Sequence, residues 1–376
     1  MLALIGSKEA GLPGVDYSLS VPEVYTRTAA HYYWNASSLS LSMSCELAPD
    51  RMPDLPSWVP DWSTSSTARR HFPYRFSATH TVPQVEFRTE AEGRVLRLPG
   101  VVKNISKVKV VEVMGLSRIE ATEAILRILR IIPAADGEYV GGNAYIIEAL
   151  WCALHIGQFQ HTTTPVKISG TALEETRRIS RYLLSLVSTA SKGTPSDGTS
   201  RSGSISSGEN ALYGSILDHA VGLCEGRVLF LTEDGFVGLG PLSASPGDTL
   251  FFPWGSRFPV LMRPATTTGE LRKEEGQQKW LVVGPCYVSG LMSGGILYGP
   301  LPPGYCLVRH TPNEGGGYRR EIHKMVIQDD RVVSSEWDAE YERQRVTKTF
   351  GVDNPRSVTP EMALNKGIPI TWVDFV

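Results

Sequence analysis

Between Gly226 and Gly299, short β-forming runs alternate with glycine and proline turns. The stretch reads GRVLFLTEDGFVGLGPLSASPGDTLFFPWGSRFPVLMRP, then a polar loop, then WLVVGPCYVSGLMSGGILYG. Runs this short, punctuated this often, can form only a small, strongly bent antiparallel sheet or barrel. Taken alone, such a block leaves unpaired edges. A second β-rich stretch, Arg94 to Val113, offers partners: Arg94–Leu98 reads as a strand, Pro99-Gly100 as a turn, and Val101–Val113 as a second strand with Lys103, Lys107 and Lys109 on a wet face. We expect this hairpin and the strands after Gly226 to share one sheet, with the intervening residues as an insertion. The predicted fold class is therefore α+β: a small antiparallel sheet or barrel built from two sequence-distant parts, with a helical insertion and an N-terminal helical segment.

Helix signals fill the rest. Ser20-Val-Pro-Glu23 is a capping box with proline in the first turn, opening a helix that places Val21, Val24, Tyr25, Thr28 and Tyr32 near one face. Ser117-Arg-Ile-Glu120 is a second capping box, followed by Ile125, Ile128, Leu129 and Ile132 at helical spacing. Ile147, Leu150, Trp151 and Leu154 repeat the stripe, as do Ile179, Tyr182, Leu183 and Leu186, and three matching stripes pack together. Residues 188–209 are rich in serine and glycine and are read as a disordered loop. Further helices are expected over 210–224 and 334–345. The predicted organisation is residues 1–70, an N-terminal helical domain; 71–115, the first part of the β module; 116–225, the helical insertion; 226–310, the second part of the module; and 311–376, a C-terminal extension.

Composition excludes several function classes. A net charge of −2 over 376 residues gives no basic footprint for nucleic acid. No apolar run reaches the length of a membrane helix, and the start of the chain lacks the charge and length of a signal peptide. The five cysteines are scattered without a C-x-x-C pair, which fits a reducing, cytoplasmic setting and argues against a zinc site. None of the eight histidines forms a metal-ligand motif, so no metal and no cofactor is expected.

LPSWVPDWS at Leu55–Ser63 resembles the segment that closes the conserved region of fungal heterokaryon incompatibility (HET) domain proteins, and the preceding VDYSLSVPEVYTRTAAHYY resembles the helix before it. The later block is similar to that family's β module, through Gly226-Arg227, Thr232, Gly235, Gly238-Leu-Gly-Pro241, Pro246-Gly-Asp248, Pro259–Pro264 and Leu281–Met292. These segments cover about half the chain in the family's order. Nothing matches the family's aromatic and aspartate-bearing front part, so residues 1–70 are read as the C-terminal remnant of a HET domain; an N-terminally incomplete copy of this kind is a remnant, a regulator or a truncated gene model, and the alternatives stay open. Gly294-Gly295 stand where the family usually has an acidic residue. The resemblance implies a role in nonself recognition and programmed cell death. It also implies, through a proposed likeness of HET to TIR domains, a nucleotide-related activity seated in the missing front.

Seven residues are candidates for ligand or partner contact. Trp58 and Trp62 can form an aromatic wall with Asp61 as acceptor, or cover the core while Asp61 caps a turn. Asp248, after the Pro246-Gly247 turn, can bind a cation or accept neighbouring N–H groups, and Arg263 can clamp an anion or pair with Asp248. Trp254 and Tyr287 are possible anchors for a protein partner on the β module. The glycines of Ser289–Gly295 offer an anion nest or a bend, and Cys152 and His155 a helical dyad or simple packing. No catalytic constellation emerges. The readings carried forward are a noncatalytic interaction or regulatory protein, a TIR-like NAD hydrolase, and an inert remnant.

Overall fold

The computed structural model describes residues 16–36, 39, 44–64, 78–79, 86–88, 94–114, 118–131, 139–141, 146–156, 218–265, 278–292, 296, 360–365 and 367–376. The elements run α1 (Val21–Ala36), β1 (Glu86–Arg88), β2 (Val95–Val113), α2 (Arg118–Ile131), α3 (Ile146–Leu154), β3 (Arg227–Thr232), β4 (Val237–Pro241), β5 (Thr249–Pro253), β6 (Val260–Pro264), β7 (Lys279–Pro285), β8 (Tyr287–Val288), α4 (Pro360–Asn365) and β9 (Thr371–Phe375), with a further helical stretch at 218–224. The α+β class holds. The loop expected at 188–209 and the helices expected at 172–187 and 334–345 lie outside the described residues.

The expected hairpin at 94–113 is instead one strand, β2, of 19 residues. Pro99-Gly100 does not turn, because both residues serve sheet contacts. Pro99 sits where β5 has ended, so its missing N–H leaves no ladder bond unmade, while its carbonyl still accepts the Trp254 N–H at 2.8 Å. Gly100 is a close approach: a Cβ there would lie 2.4 Å from the Phe252 carbonyl oxygen and 2.6 Å from the Phe251 ring. β2 thus runs on as a spine. One flank carries β1 and then β5, and the other carries β9 and then β3, all antiparallel. The two sequence-distant β stretches do share a sheet, through Gly100–Lys107 with β5 and Val108–Val113 with β3.

Five strands close into a barrel in the order β5-β6-β7-β9-β2, with β2 returning to β5. All seams are antiparallel except β7–β9. Successive side chains on a strand point to opposite faces, and Leu96, Leu98, Phe251, Val260, Met262, Val282, Val373 and Phe375 from all five staves meet in one buried cluster, which is therefore the barrel lining. Phe251 and Phe375 meet there at 5.7 Å between ring centroids, and burial of each such side chain contributes roughly 1.5–3 kcal/mol. The stave β9 comes from residues that read in sequence as an extension beyond the module.

The alternate residues, among them Leu250, Phe252, Leu261 and Val283, join a second core with β3, β4 and β8. Helices α2 and α3 cover that core with Ala121, Ala124, Ile125 and Ile128, and with Leu150, Trp151 and Leu154, in line with the predicted stripes. Half of the capping box of α1 is formed: Glu23 accepts from the Ser20 N–H at 2.7 Å, while the Ser20 hydroxyl donates to the same carboxylate oxygen at 2.7 Å. Its buried face, however, is Thr26, Ala29 and Tyr33, one step round from the predicted stripe, and Val21 and Tyr32 are exposed. Small Ala29 is fully buried at the centre of that face, so packing rather than side-chain bulk sets it.

Candidate functional site

The segment 45–63, built on the LPSWVPDWS motif, is held by a network of its own polar side chains. Pro56 and Pro60 fix their own φ and restrain the residues before them, which holds the backbone open rather than helical. The Arg51 guanidinium, half-buried, donates to the carbonyls of Glu46 (3.3 Å), Pro56 (2.5 Å) and Val59. Burial pulls its pKa down, against the pull of Cys45 and Asp61.

Asp61 closes the segment from the other side. One carboxylate oxygen accepts from the Met52 N–H at 2.7 Å; the other accepts from the Ser63 N–H at 2.9 Å and the Ser63 hydroxyl at 2.6 Å. Burial alone would raise the carboxyl, but the Ser63 and Met52 bonds, aided by Arg51, hold it below the usual carboxylate range. Of the two uses the sequence allowed, Asp61 therefore takes the turn-capping one.

Trp58 is buried; its indole N–H donates to the Arg94 carbonyl at 2.9 Å and its ring tilts against Tyr33 at 6.1 Å. The Trp58 carbonyl in turn accepts from the Tyr33 hydroxyl at 3.3 Å and the Cys45 thiol at 3.0 Å, and burial pushes that thiol up to about 12. Trp62 is 37% exposed and meets Tyr25 edge-on at 5.0 Å. The two indoles so divide between core and surface and do not make one wall.

Ser57, between the prolines, was not singled out in sequence. Its N–H and hydroxyl both donate to the main-chain oxygen of Val376, at 3.0 and 2.5 Å, and its Oγ accepts from the Val282 N–H at 2.9 Å. The flanking prolines were the available signal that this position is held rigidly.

The other candidates lie elsewhere. Asp248 is buried, and Arg263 grips it bidentately at 2.7 and 2.9 Å. Asp248 also accepts the Ser245 N–H at 2.8 Å, and Arg263 reaches the Ser243 carbonyl at 2.9 Å. The bond to Asp248 raises the already high Arg263 pKa, which burial opposes. This is a clamp on the β4–β5 connection between a buried carboxylate and a half-buried guanidinium, with Gly247 at a φ of 93° as its turn requires. Trp254 and Tyr287 are both buried in the core and do not lie on the outer face of the module.

Of the glycine-rich loop Ser289–Gly295, residues 293–295 lie outside the described residues, and its first residue is engaged internally. The Ser289 N–H donates to Val237, its hydroxyl to Ala149 at 2.6 Å, and its carbonyl accepts the Tyr139 hydroxyl at 2.9 Å. Tyr139 also accepts the Val237 N–H at 3.0 Å, tying the insertion to the β sheet. His155 Nδ1 faces the Trp151 carbonyl at 3.1 Å, and its ring lies 4.2 Å from the Trp151 ring, a packing geometry. Among the described residues no cluster of three or more His, Cys, Asp or Glu is placed to hold a metal, and no helix is long and apolar enough to cross a membrane.

Residues 206–299 match the family described as the Het-6 beta-barrel domain. That span holds the staves β5, β6 and β7, whereas β2 and β9 lie outside it. A curated relative, "Heterokaryon incompatibility protein 6, OR allele" of Neurospora crassa, is 33% identical over 70 residues, which are 19% of this chain and 9% of the relative. The chain thus aligns with less than a tenth of that protein's length. No solved structure matches.

Proposed function

We propose that this chain, a HET-family protein by its Het-6 beta-barrel domain, acts in fungal heterokaryon incompatibility as a noncatalytic regulatory or interaction protein in nonself recognition and the cell death that follows it. The name of the Neurospora relative supports the process. The observation that supports a noncatalytic role is how the reactive-type side chains are engaged. Asp61, Asp248 and Arg263 are turned to their own turn or to each other, and the Cys45, Cys224 and Cys286 thiols are buried with pKa values pushed up. A nucleophile or general base needs the opposite, a group poised towards a cleft.

The buried cysteines 45, 152, 224 and 286, none of them in a disulfide, support a reducing, cytoplasmic setting. A protein partner would meet exposed apolar residues such as Trp34, Trp62 and Leu242 rather than the buried Trp254 and Tyr287.

Two measurements test this reading. Expression of the full chain in one member of a compatible fungal pair is expected to alter heterokaryon viability; unchanged viability favours the inert-remnant reading. The purified chain incubated with NAD is expected to release no nicotinamide; turnover above buffer overturns the noncatalytic role and restores the NAD hydrolase reading.

A further inference from the structure

The β7–β9 seam is the thinnest in the barrel. It is the parallel one, and only Lys279 and Trp280 pair across it, with Asp374 and Phe375. The other four seams are antiparallel and hold three to five registered pairs each, and parallel pairing is slightly less stable per residue. β7 nevertheless runs on to Pro285, so its edge beyond Trp280 has donors and acceptors that β9 does not meet.

The segment 45–63 meets them. The Val283 carbonyl accepts the Leu47 N–H at 2.9 Å, and the Val282 N–H goes to Ser57 Oγ at 2.9 Å. On the β9 side the Val376 N–H donates to the Trp280 carbonyl at 3.0 Å, and the Val376 oxygen takes both Ser57 donors. The Ser57 hydroxyl, 4% exposed as a residue, is thus bonded to both banks of the seam, donating to one and accepting from the other.

We infer that residues 45–61 are a strap that bolts the barrel shut along β7–β9, and that the barrel opens at this seam when the strap withdraws, while β3 and β4 stay folded. The strap is built to move as one piece. Arg51 gathers the Glu46, Pro56 and Val59 carbonyls, and Asp61 holds the Met52 N–H, so its internal bonds do not depend on the barrel. It is also joined to α1 through Tyr33 and Trp58, so displacement of α1 is carried to the bolt. Withdrawal uncovers the lining residues Val282, Val373 and Phe375 and leaves the Val282 N–H of β7 unpaired. This is a conformational device, independent of the cellular role proposed above.

Hydrogen exchange of the full chain, resolved at single amides, tests it. In the unsubstituted protein the Leu47, Ser57, Val282 and Val376 amides are expected to exchange through one shared opening, ahead of the Leu229 and Leu231 amides of β3. Ser57→Ala strands the Val282 N–H and is expected to speed the Val282 and Val376 amides on the order of ten- to a hundredfold, with β3 unchanged, while Ser57→Thr, which keeps the hydroxyl, restores protection. Seam amides that exchange only with global unfolding in the unsubstituted chain overturn the inference, whether or not the variant folds. Equal loosening of β3 in Ser57→Ala overturns it too, since Ser57 would then be one bond of an indivisible fold.

Discussion

Asp61 illustrates how one side chain converts pH into stability. Its folded-state pKa lies below that of an unfolded carboxyl, near 3.9. The stability it contributes is therefore complete above about pH 4 and is lost as pH falls through its lowered folded value. Asp61→Asn is expected to cost about 1–2 kcal/mol at pH 7, because the Met52 N–H then faces an amide NH2. The gap between the two proteins should narrow as urea midpoints are taken from pH 7 down through the lowered folded value of Asp61. At this scale the sequence was legible where bonding is local. The Ser20–Glu23 box and the turn-capping use of Asp61 follow from spacings of two and three residues. The Asp248–Arg263 pair was readable as one of two options because a short hairpin brings the residues together. Ser57 was not, since its partners lie at Val282 and Val376, and nothing in a serine announces bonds that long in sequence.

Among the elements, β2 best separates what local pattern can say from what packing decides. Pro99-Gly100 has the composition of a turn, yet Gly100 is present because β5 passes too close for a Cβ. Gly100→Ala is accordingly expected to destabilise by about 1–3 kcal/mol or more, read as a lower urea midpoint. A turn at this position would instead tolerate alanine with little change, its φ not being among the positive ones. The β3–β4 hairpin was legible because its turn chemistry is complete in five residues, with Thr232 bonding Asp234 and the Phe236 N–H around Gly235. The α1 stripe was displaced by one step because Ala29 contributes little bulk to a hydrophobic pattern yet is fully buried.

For the whole molecule, the decisive fact is that the barrel draws its staves from three remote parts of the chain. Shared edges foretold the union of β2 with the later strands, but no rule of local composition assigns Thr371–Phe375 to the gap between β7 and β2. Removal of residues 371–376 is expected to abolish cooperative urea unfolding of the barrel, monitored by tryptophan fluorescence, since Val373 and Phe375 are lost from the lining together with both ladders. The same arrangement governs the order of events during synthesis. The matched strands through Val288 leave the ribosome well before Thr371, a delay of several seconds at about 5–20 residues per second. For that interval the nascent chain carries a greasy, half-built cylinder, its gap between β7 and β2 vacant until translation delivers the missing plank.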